Sequence, residues 1–118
     1  MPQSLPEAPT LLGAAVKYLE DELLPALDGY HRFKTRVTVN VLNMIRRELE
    51  LRAAQAAGER SRLAAILGHD GDPDALSLEL SQRIRSGAID LNDPALRAHL
   101  RQSVADALAI NNPKWINR

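Results

Sequence analysis

The chain lacks several residue types on which common functions depend. It has no cysteine, which excludes disulfides and thiolate-bound metals, and only one Trp, two Tyr and one Phe. No basic run has aromatic residues interleaved with it, so surfaces that stack single-stranded nucleic acid are not indicated. No apolar run approaches the roughly 18 to 20 residues of a membrane span, and the N-terminus does not resemble a signal peptide. We therefore expect a cytoplasmic protein that binds neither nucleic acid nor membrane.

Motifs of self-sufficient enzymes are also missing. The sequence has no phosphate-cradling glycine loop, dinucleotide fingerprint, nucleophile elbow or helix with two metal-ligating histidines. Three alternating aspartates in residues 70–74 resemble calcium ligands, but Ala75 and Ser81 stand where a calcium loop requires Gly and Glu. His69 could join these acids around a transition metal, yet a single His in an exposed turn is usually solvated. We expect no catalytic residue, cofactor or metal site.

The charges balance overall but are unevenly distributed. The chain has 15 basic and 15 acidic residues. Residues 1–29 sum to −4, residues 30–62 to +5 and the remainder to −1. A basic middle can indicate nucleic acid or an acidic ligand, but a neighbouring acidic helix can also neutralise it. We favour neutralisation, with an acid of residues 20–22 pairing with Arg32 or Arg36.

Helical periodicity predicts an all-α fold: a single-domain helical bundle of about five helices over residues 10–118, behind a flexible leader at residues 1–9. The helices are expected at about residues 10–24, 30–57, 61–67, 73–86 and from 94 to just before Pro113. The second is the longest, and we expect it to be central. Thr10 is the candidate N-cap of the first helix.

Turn and capping residues set these boundaries. Pro25 should end or kink the first helix, and Gly58 should break the second. Asp72 and Asp93 each precede a proline, the order expected of an N-cap followed by the first helical residue. The closing Trp115 is expected to cover the end of the bundle.

Apolar stripes indicate which helix faces are buried. In the first helix, the expected core positions are Leu12, Ala15, Val16, Leu19 and Leu23. In the second helix, they are Phe33, Val37, Val41, Met44 or Ile45, and Leu49. In the fourth helix they are Leu76, Leu80 and Ile84, and in the fifth they are Leu96, Leu100, Val104 and Leu108. Val39 and Leu42 extend the apolar surface of the second helix, so that only one face of this helix is polar.

That polar face carries Arg36, Asn40, Asn43 and Arg47, at the i, i+4, i+7 and i+11 spacing of one helical stripe. Asparagine is a poor mid-helix residue, so two of them suggest a tertiary reason. Structurally, the amides could bond neighbouring helices while each arginine pairs with an acid. Functionally, the stripe could bind an elongated anion, a second subunit or another protein. We keep both interpretations.

Four segments are similar to a known family: residues 23–27, 33–51 (FKTRVTVNVLNMIRRELEL), 83–87 and 112–114. They resemble DUF6285, a family of short bacterial proteins, and the most specific matches are Arg36, Asn40, Arg46 to Leu49 and the closing Asn-Pro. The resemblance implies an all-α fold and no established activity. Family members are often encoded beside proteins similar to aminoglycoside phosphotransferases and beside acyl-CoA dehydrogenases, which implies such partners and a role in acyl-CoA catabolism.

Two functional hypotheses follow. The favoured one is a non-enzymatic accessory or interaction protein, whose polar stripe or outer apolar surface docks a partner enzyme. The alternative is a protein that binds or converts a small anionic or acyl-CoA-related ligand in an Arg/Asn groove on the second helix. Because a small bundle with 45% hydrophobic residues leaves Leu and Ile facing outward, we also expect a two-fold homodimer.

Overall fold

A computed structural model describes residues 6–115 of the chain, without the side chain of Trp115. The helices are α1 (Ala8–Tyr18), α2 (Gly29–Leu67), α3 (Pro73–Ser86) and α4 (Pro94–Asn111). A π-helical turn (Leu19–Leu23) and a 3-10 turn (Leu24–Ala26) follow α1, and a 3-10 turn (Pro113–Trp115) follows α4. These residues contain no strand, which confirms the all-α prediction, but there are four α-helices where five were expected. The packing predicted for Trp115 lies outside the described side chains.

The chain forms two compact units, Met1–Leu51 and Arg52–Arg118. Helix α2 is continuous and contributes residues 29–51 to unit 1 and residues 52–67 to unit 2. Within residues 6–115, no helix is both long enough and apolar enough to cross a membrane.

The predicted break of the second helix at Gly58 is wrong. Helix α2 passes through Gly58 and ends at Leu67, where Gly68 adopts a left-handed φ of 84°. A mid-helix glycine costs only about 1 kcal/mol relative to alanine, and the packing of Leu63 and Leu67 in a buried core outweighs that cost. The expected short helix at residues 61–67 is therefore the last part of α2.

In unit 1, α1 starts earlier than the sequence predicted. Glu7 occupies the N-cap position, Pro9 lies in the first turn, and the Leu11 amide donates to the Glu7 carbonyl at 3.1 Å. Because proline favours the first turn of a helix, Thr10 lies inside α1 and does not cap it. Pro25 does end this helical region, through the 3-10 turn that contains it.

The ion pair that was expected to neutralise the charges of unit 1 is not formed. Arg32, Arg36 and the acids at residues 20–22 are all exposed. Among the side chains that the structure describes, no ion pair within 4.0 Å joins these acids to either arginine. The acids lie on the π-helical turn, which changes the direction in which they project relative to a regular α-helix.

Most of the buried stripe predicted for α2 is wrong, because Phe33, Val37, Val41, Ile45 and Leu49 are exposed. Val39, which was expected to widen that stripe, is buried, and Met44, the alternative to Ile45, is half-buried. Successive steps of four residues advance by about 400°, so such a stripe drifts by about 40° per step around the helix. The inward face instead includes half-buried Leu42, Asn43 and Arg46, with the Arg46 guanidinium lying over Gly13 of α1.

Unit 2 contains a continuous leucine core. Its buried members are Leu63, Leu67, Leu76, Leu80 and Leu96, and Ile66, Ile84 and Ile89 pack against them. Asp72 caps α3 by accepting from the amides of Asp74 and Ala75, at 3.2 and 3.4 Å. Asp93 caps α4 by accepting from the Leu96 amide at 3.0 Å. Both predicted N-caps are confirmed, because a capping carboxylate needs only the amides of its own helix.

Candidate functional site

The four residues of the predicted polar stripe differ in environment. Arg36 and Asn40 are exposed, whereas Asn43 and Arg47 are half-buried. The exposure of Asn40 does not fit the structural interpretation, which required a buried amide. The Asn43 Oδ1 atom is buried and has no hydrogen-bond partner among the described residues. The assignment of these residues to ligand binding stays a prediction.

Beside this stripe, α2 presents what we call the α2 apolar face. Its members are Phe33 (66% exposed), Val37 (43%), Val41 (47%), Ile45 (40%) and Leu49 (49%). All five follow one another at four-residue intervals within unit 1, so they form a row that turns by about 40° per step around α2. Contiguous exposed apolar surface on a small protein commonly marks an interaction site.

In unit 2, α4 turns a polar face toward α2. The sequence predicted that Leu100 and Val104 would face inward, but both are exposed, at 47% and 60%. His99 is buried instead, and Ser103 and Asp106 are half-buried. The inward face is rotated relative to the predicted apolar stripe, so polar side chains occupy the α2–α4 contact. Of the other predicted positions, Leu96 is buried and Leu108 half-buried, so the apolar stripe coincides only in part with the inward face.

Arg62 of α2 is the centre of this polar cluster. Its Nε–H donates to His99 Nδ1 at 3.1 Å, and its Nη2 lies 3.7 Å from Asp106 Oδ2, within ion-pair range but too far for a hydrogen bond. The Gln55 amide donates to the Asp106 carbonyl at 3.0 Å. The Ser77 hydroxyl donates to Glu59 Oε1 at 3.3 Å.

The protonation state of His99 follows from these contacts. Burial is the main cause that lowers the pKa of His99, and the positive charge of Arg62 lowers this pKa further. The negative charge of Glu59 partly opposes both effects. Because His99 accepts a hydrogen bond at Nδ1, the neutral ring carries its proton on Nε2. Its Nδ1 is therefore already occupied and is not available to activate a nucleophile.

A cleft of about 380 Å³ lies beside the cluster. Its polar lining consists of Arg52, Gln55, Glu59, Arg62, Ser103 and Asp106. The two arginines and two carboxylates of this lining balance in formal charge. The contacts of Arg62 and Gln55 with residues of α4 join that helix to α2.

The aspartate-rich loop before α3 is held by ion pairs. Arg60 contacts both oxygens of Asp70, at 2.8 and 3.0 Å, and lowers the pKa of that carboxyl through the hydrogen bond. His69 Nε2 lies 2.8 Å from Glu79, and Arg83 lies 2.6 Å from the same carboxylate. Within residues 6–115, no group of three or more potential ligands is placed to hold a metal ion.

The polar cluster of unit 2 was missed in the sequence although it has a recognisable signal. Residues 55, 59 and 62 and residues 99, 103 and 106 both follow the i, i+4, i+7 spacing of a helical stripe. The same spacing singled out the stripe that begins at Arg36. Searching every helix for polar as well as apolar stripes would have identified both faces.

The comparisons with known proteins give one result. Neither the curated proteins nor the solved structures include a match to this chain. The model of a family described as a domain of unknown function, DUF6285, matches residues 25–115, which is more than half of the 118 residues. The chain therefore belongs to the DUF6285 family.

Proposed function

We propose that this protein is a non-enzymatic interaction protein and that another protein chain covers its α2 apolar face. The observation that carries the proposal is the exposure of five apolar residues at a regular spacing on one helix. Covering such a face removes apolar surface from water, which is the dominant favourable term in most protein associations.

The polar groups of unit 2 support the absence of a catalytic role. Arg62 contacts both His99 and Asp106, and the ring nitrogen that could act as a base accepts from Arg62. A nucleophile needs a free base within hydrogen-bond distance. The cluster therefore serves the packing of unit 2.

An anionic ligand on Arg36 and Asn40 is the second candidate function. The exposure of both side chains favours it, because a ligand could reach them from solvent. Carboxylate, phosphate and CoA esters are the chemical classes that an arginine with a neighbouring amide would suit.

The family resemblance supplies the biological setting of the proposal. An accessory role in bacterial acyl-CoA metabolism, in the cytoplasm, agrees with the gene neighbours that the resemblance implies. A phosphotransferase-like protein and an acyl-CoA dehydrogenase are accordingly the partner enzymes to test first.

The test compares two valine substitutions. Val41→Lys places a charge on the α2 apolar face, and Val104→Lys makes the same change at an exposed valine of α4. We expect Val41→Lys to abolish association of the chain with itself or with a purified partner enzyme, and Val104→Lys to leave it intact. Sedimentation velocity measures both.

The alternative function predicts a different pattern. A CoA ester or nucleotide would raise the melting temperature of the wild-type chain, and Arg36→Ala would remove that rise. This outcome, with no association at any concentration, would replace the interaction proposal by the ligand-binding one.

A further inference from the structure

The cleft of unit 2 lies along an antiparallel contact between α2 and α4. The Gln55 amide donates to the Asp106 carbonyl. Seven residues further along α2, Arg62 donates to His99, which lies seven residues earlier in α4 than Asp106. Both intervals rise about 10.5 Å along a helix axis, so the two cross-links hold a stretch of this length between them. The cleft therefore has a fixed end at Arg62 and a second fixed point at Gln55.

Three polar side chains of the cleft lining have unused hydrogen-bonding groups. Among the described residues, the Ser103 hydroxyl has no hydrogen-bond partner. Glu59 accepts from Ser77 through Oε1, and within residues 6–115 its Oε2 accepts from no other group. Of the five N–H groups of Arg62, that of Nε donates to His99 and the two of Nη2 are buried, which leaves the two of Nη1. A ligand in the cleft can therefore find both donors and acceptors.

Glu59 and Arg62 carry opposite charges side by side on α2. They lie three residues apart, a spacing that places their Cβ atoms about 5 to 6 Å from each other. In the part of the chain that the structure describes, no ion pair joins the two. Each can therefore take an opposite charge of one ligand. Such a ligand needs an ammonium and a carboxylate on neighbouring atoms, which is the arrangement in an α-amino acid.

The apolar lining of the cleft lies toward the end opposite Arg62. Ala56 precedes Arg62 by six residues in α2, while Ala107 and Ile110 follow Ser103 in α4, which runs antiparallel to α2. The two alanines are small and leave room for an aliphatic group beside them. The cleft volume of about 380 Å³ is near the lower limit of ligand sites, which range from about 300 to 1,000 Å³. These dimensions favour a small molecule.

We propose that this cleft binds a free α-amino acid with an aliphatic side chain. The ammonium of the ligand donates to Glu59, its carboxylate accepts from Arg62 and from the Ser103 hydroxyl, and its side chain contacts Ala56 and Ala107. A zwitterion has no net charge, which agrees with the balanced formal charges of the lining. The site lies within unit 2 and requires no catalytic group, so it is independent of the α2 apolar face and of the partner proposed for it.

Titration with L-leucine tests the class of ligand. We expect the NMR amide resonances of α2 and α4 in unit 2 to shift, with a dissociation constant between about 10 µM and 1 mM. N-acetyl-L-leucine lacks the ammonium and L-leucinamide lacks the carboxylate, so each should bind at least about tenfold more weakly. Equal binding of N-acetyl-L-leucine would overturn the proposal in favour of a site for simple anions. The proposal also fails if L-leucine, L-valine and L-alanine shift no resonance at about 10 mM.

Two conservative substitutions test the residues. Glu59→Gln keeps an acceptor for Ser77 but removes the charge that holds the ammonium, so the affinity for L-leucine should fall by at least about tenfold. Ser103→Ala should weaken binding by about threefold to tenfold and leave the melting temperature of the ligand-free protein unchanged. Glu79→Gln and Ser86→Ala make the same changes outside the cleft and should bind like the wild type. Unchanged affinity in either cleft variant would contradict the proposed contacts.

Discussion

The two units use their apolar residues in opposite ways. In unit 2, five leucines from three helices are buried against one another. In the described part of unit 1, the buried apolar residues are Val16, Leu24 and Val39, while the five residues of the α2 apolar face are exposed. Because burial of apolar surface is the main source of stability, unit 2 can stabilise itself, whereas unit 1 is expected to gain stability from an added chain.

Polar groups show the same contrast. Arg62 of unit 2 reaches both His99 and Asp106 within the unit. In unit 1, Arg32 and Arg36 extend into solvent. Internal pairing fixes the register of helices, whereas exposed cations remain available to a partner or an anion.

The core of unit 2 should respond most strongly to mutation. Leu63→Ala removes a fully buried side chain, and we expect the free energy of unfolding to fall by about 2 to 5 kcal/mol. Leu78→Ala is the control, since Leu78 is exposed and should change stability by less than about 0.5 kcal/mol. Urea denaturation followed by circular dichroism measures both. Equal effects at the two positions would contradict the packing described for this unit.

The polar cluster should give the next largest effect. Arg62→Met keeps most of the side-chain volume but leaves His99 Nδ1 without its donor and Asp106 without its ion pair. We expect a loss of about 1 to 3 kcal/mol, the cost of leaving buried polar groups unsatisfied. Arg60→Met, which breaks an exposed pair with Asp70, should barely shift the urea midpoint. A larger loss of stability from Arg60→Met than from Arg62→Met would contradict the assignment of Arg62 as the arginine that holds buried polar groups and of Arg60 as the exposed one.

Local chemistry explains which parts of this fold could be predicted from sequence. Each of the two capping aspartates, Asp72 and Asp93, accepts from amides two or three residues further along its own helix, as its residue type favours. Pro25 likewise ends the first helical region. These features need no knowledge of what packs against the helix.

The errors arose where distant contacts decide the structure. Gly58 is inside α2 because the end of that helix packs in the leucine core. The inward face of α4 carries His99 and Asp106, which contact Arg62, a residue of another helix. The sequence identified Arg36, Asn40, Asn43 and Arg47 as one stripe, but its spacing could not show that two are exposed and two half-buried.

A smaller change in stability is expected when the helical glycine of each unit is replaced by alanine. Gly58→Ala should stabilise unit 2 by about 0.5 to 1 kcal/mol, because alanine is the better helix former and its Cβ would meet Arg62 Nη1 at an ordinary 3.4 Å. At Gly13 the added Cβ would lie 3.1 Å from Arg46 Nη1, so that side chain must move and the gain should be less. Thermal unfolding of both variants tests the order, and a greater gain at Gly13 would contradict the close approach of Arg46.

The smallest effect concerns two histidines of unit 2 with opposite shifts. The hydrogen bond to Glu79 raises the pKa of His69, with help from the Asp70 carbonyl, whereas burial lowers the pKa of His99. Protonation of His69 is favoured in the folded state, so its contribution to stability is present at low pH and lost as the pH rises through the folded pKa. His99 is held neutral, so its contribution is present at high pH and lost as the pH falls toward its folded pKa.

NMR titration of the ring Cε1 protons separates the two histidines. His69 should titrate above the ordinary value of about 6.5 and His99 below it. Glu79→Gln is the discriminating variant, since it removes the charge that favours protonated His69 and leaves the burial of His99 unchanged. The pKa of His69 should then fall while that of His99 stays constant. If both resonances moved together, or if His99 titrated above His69, the contrast between an exposed pair and a buried ring would be wrong.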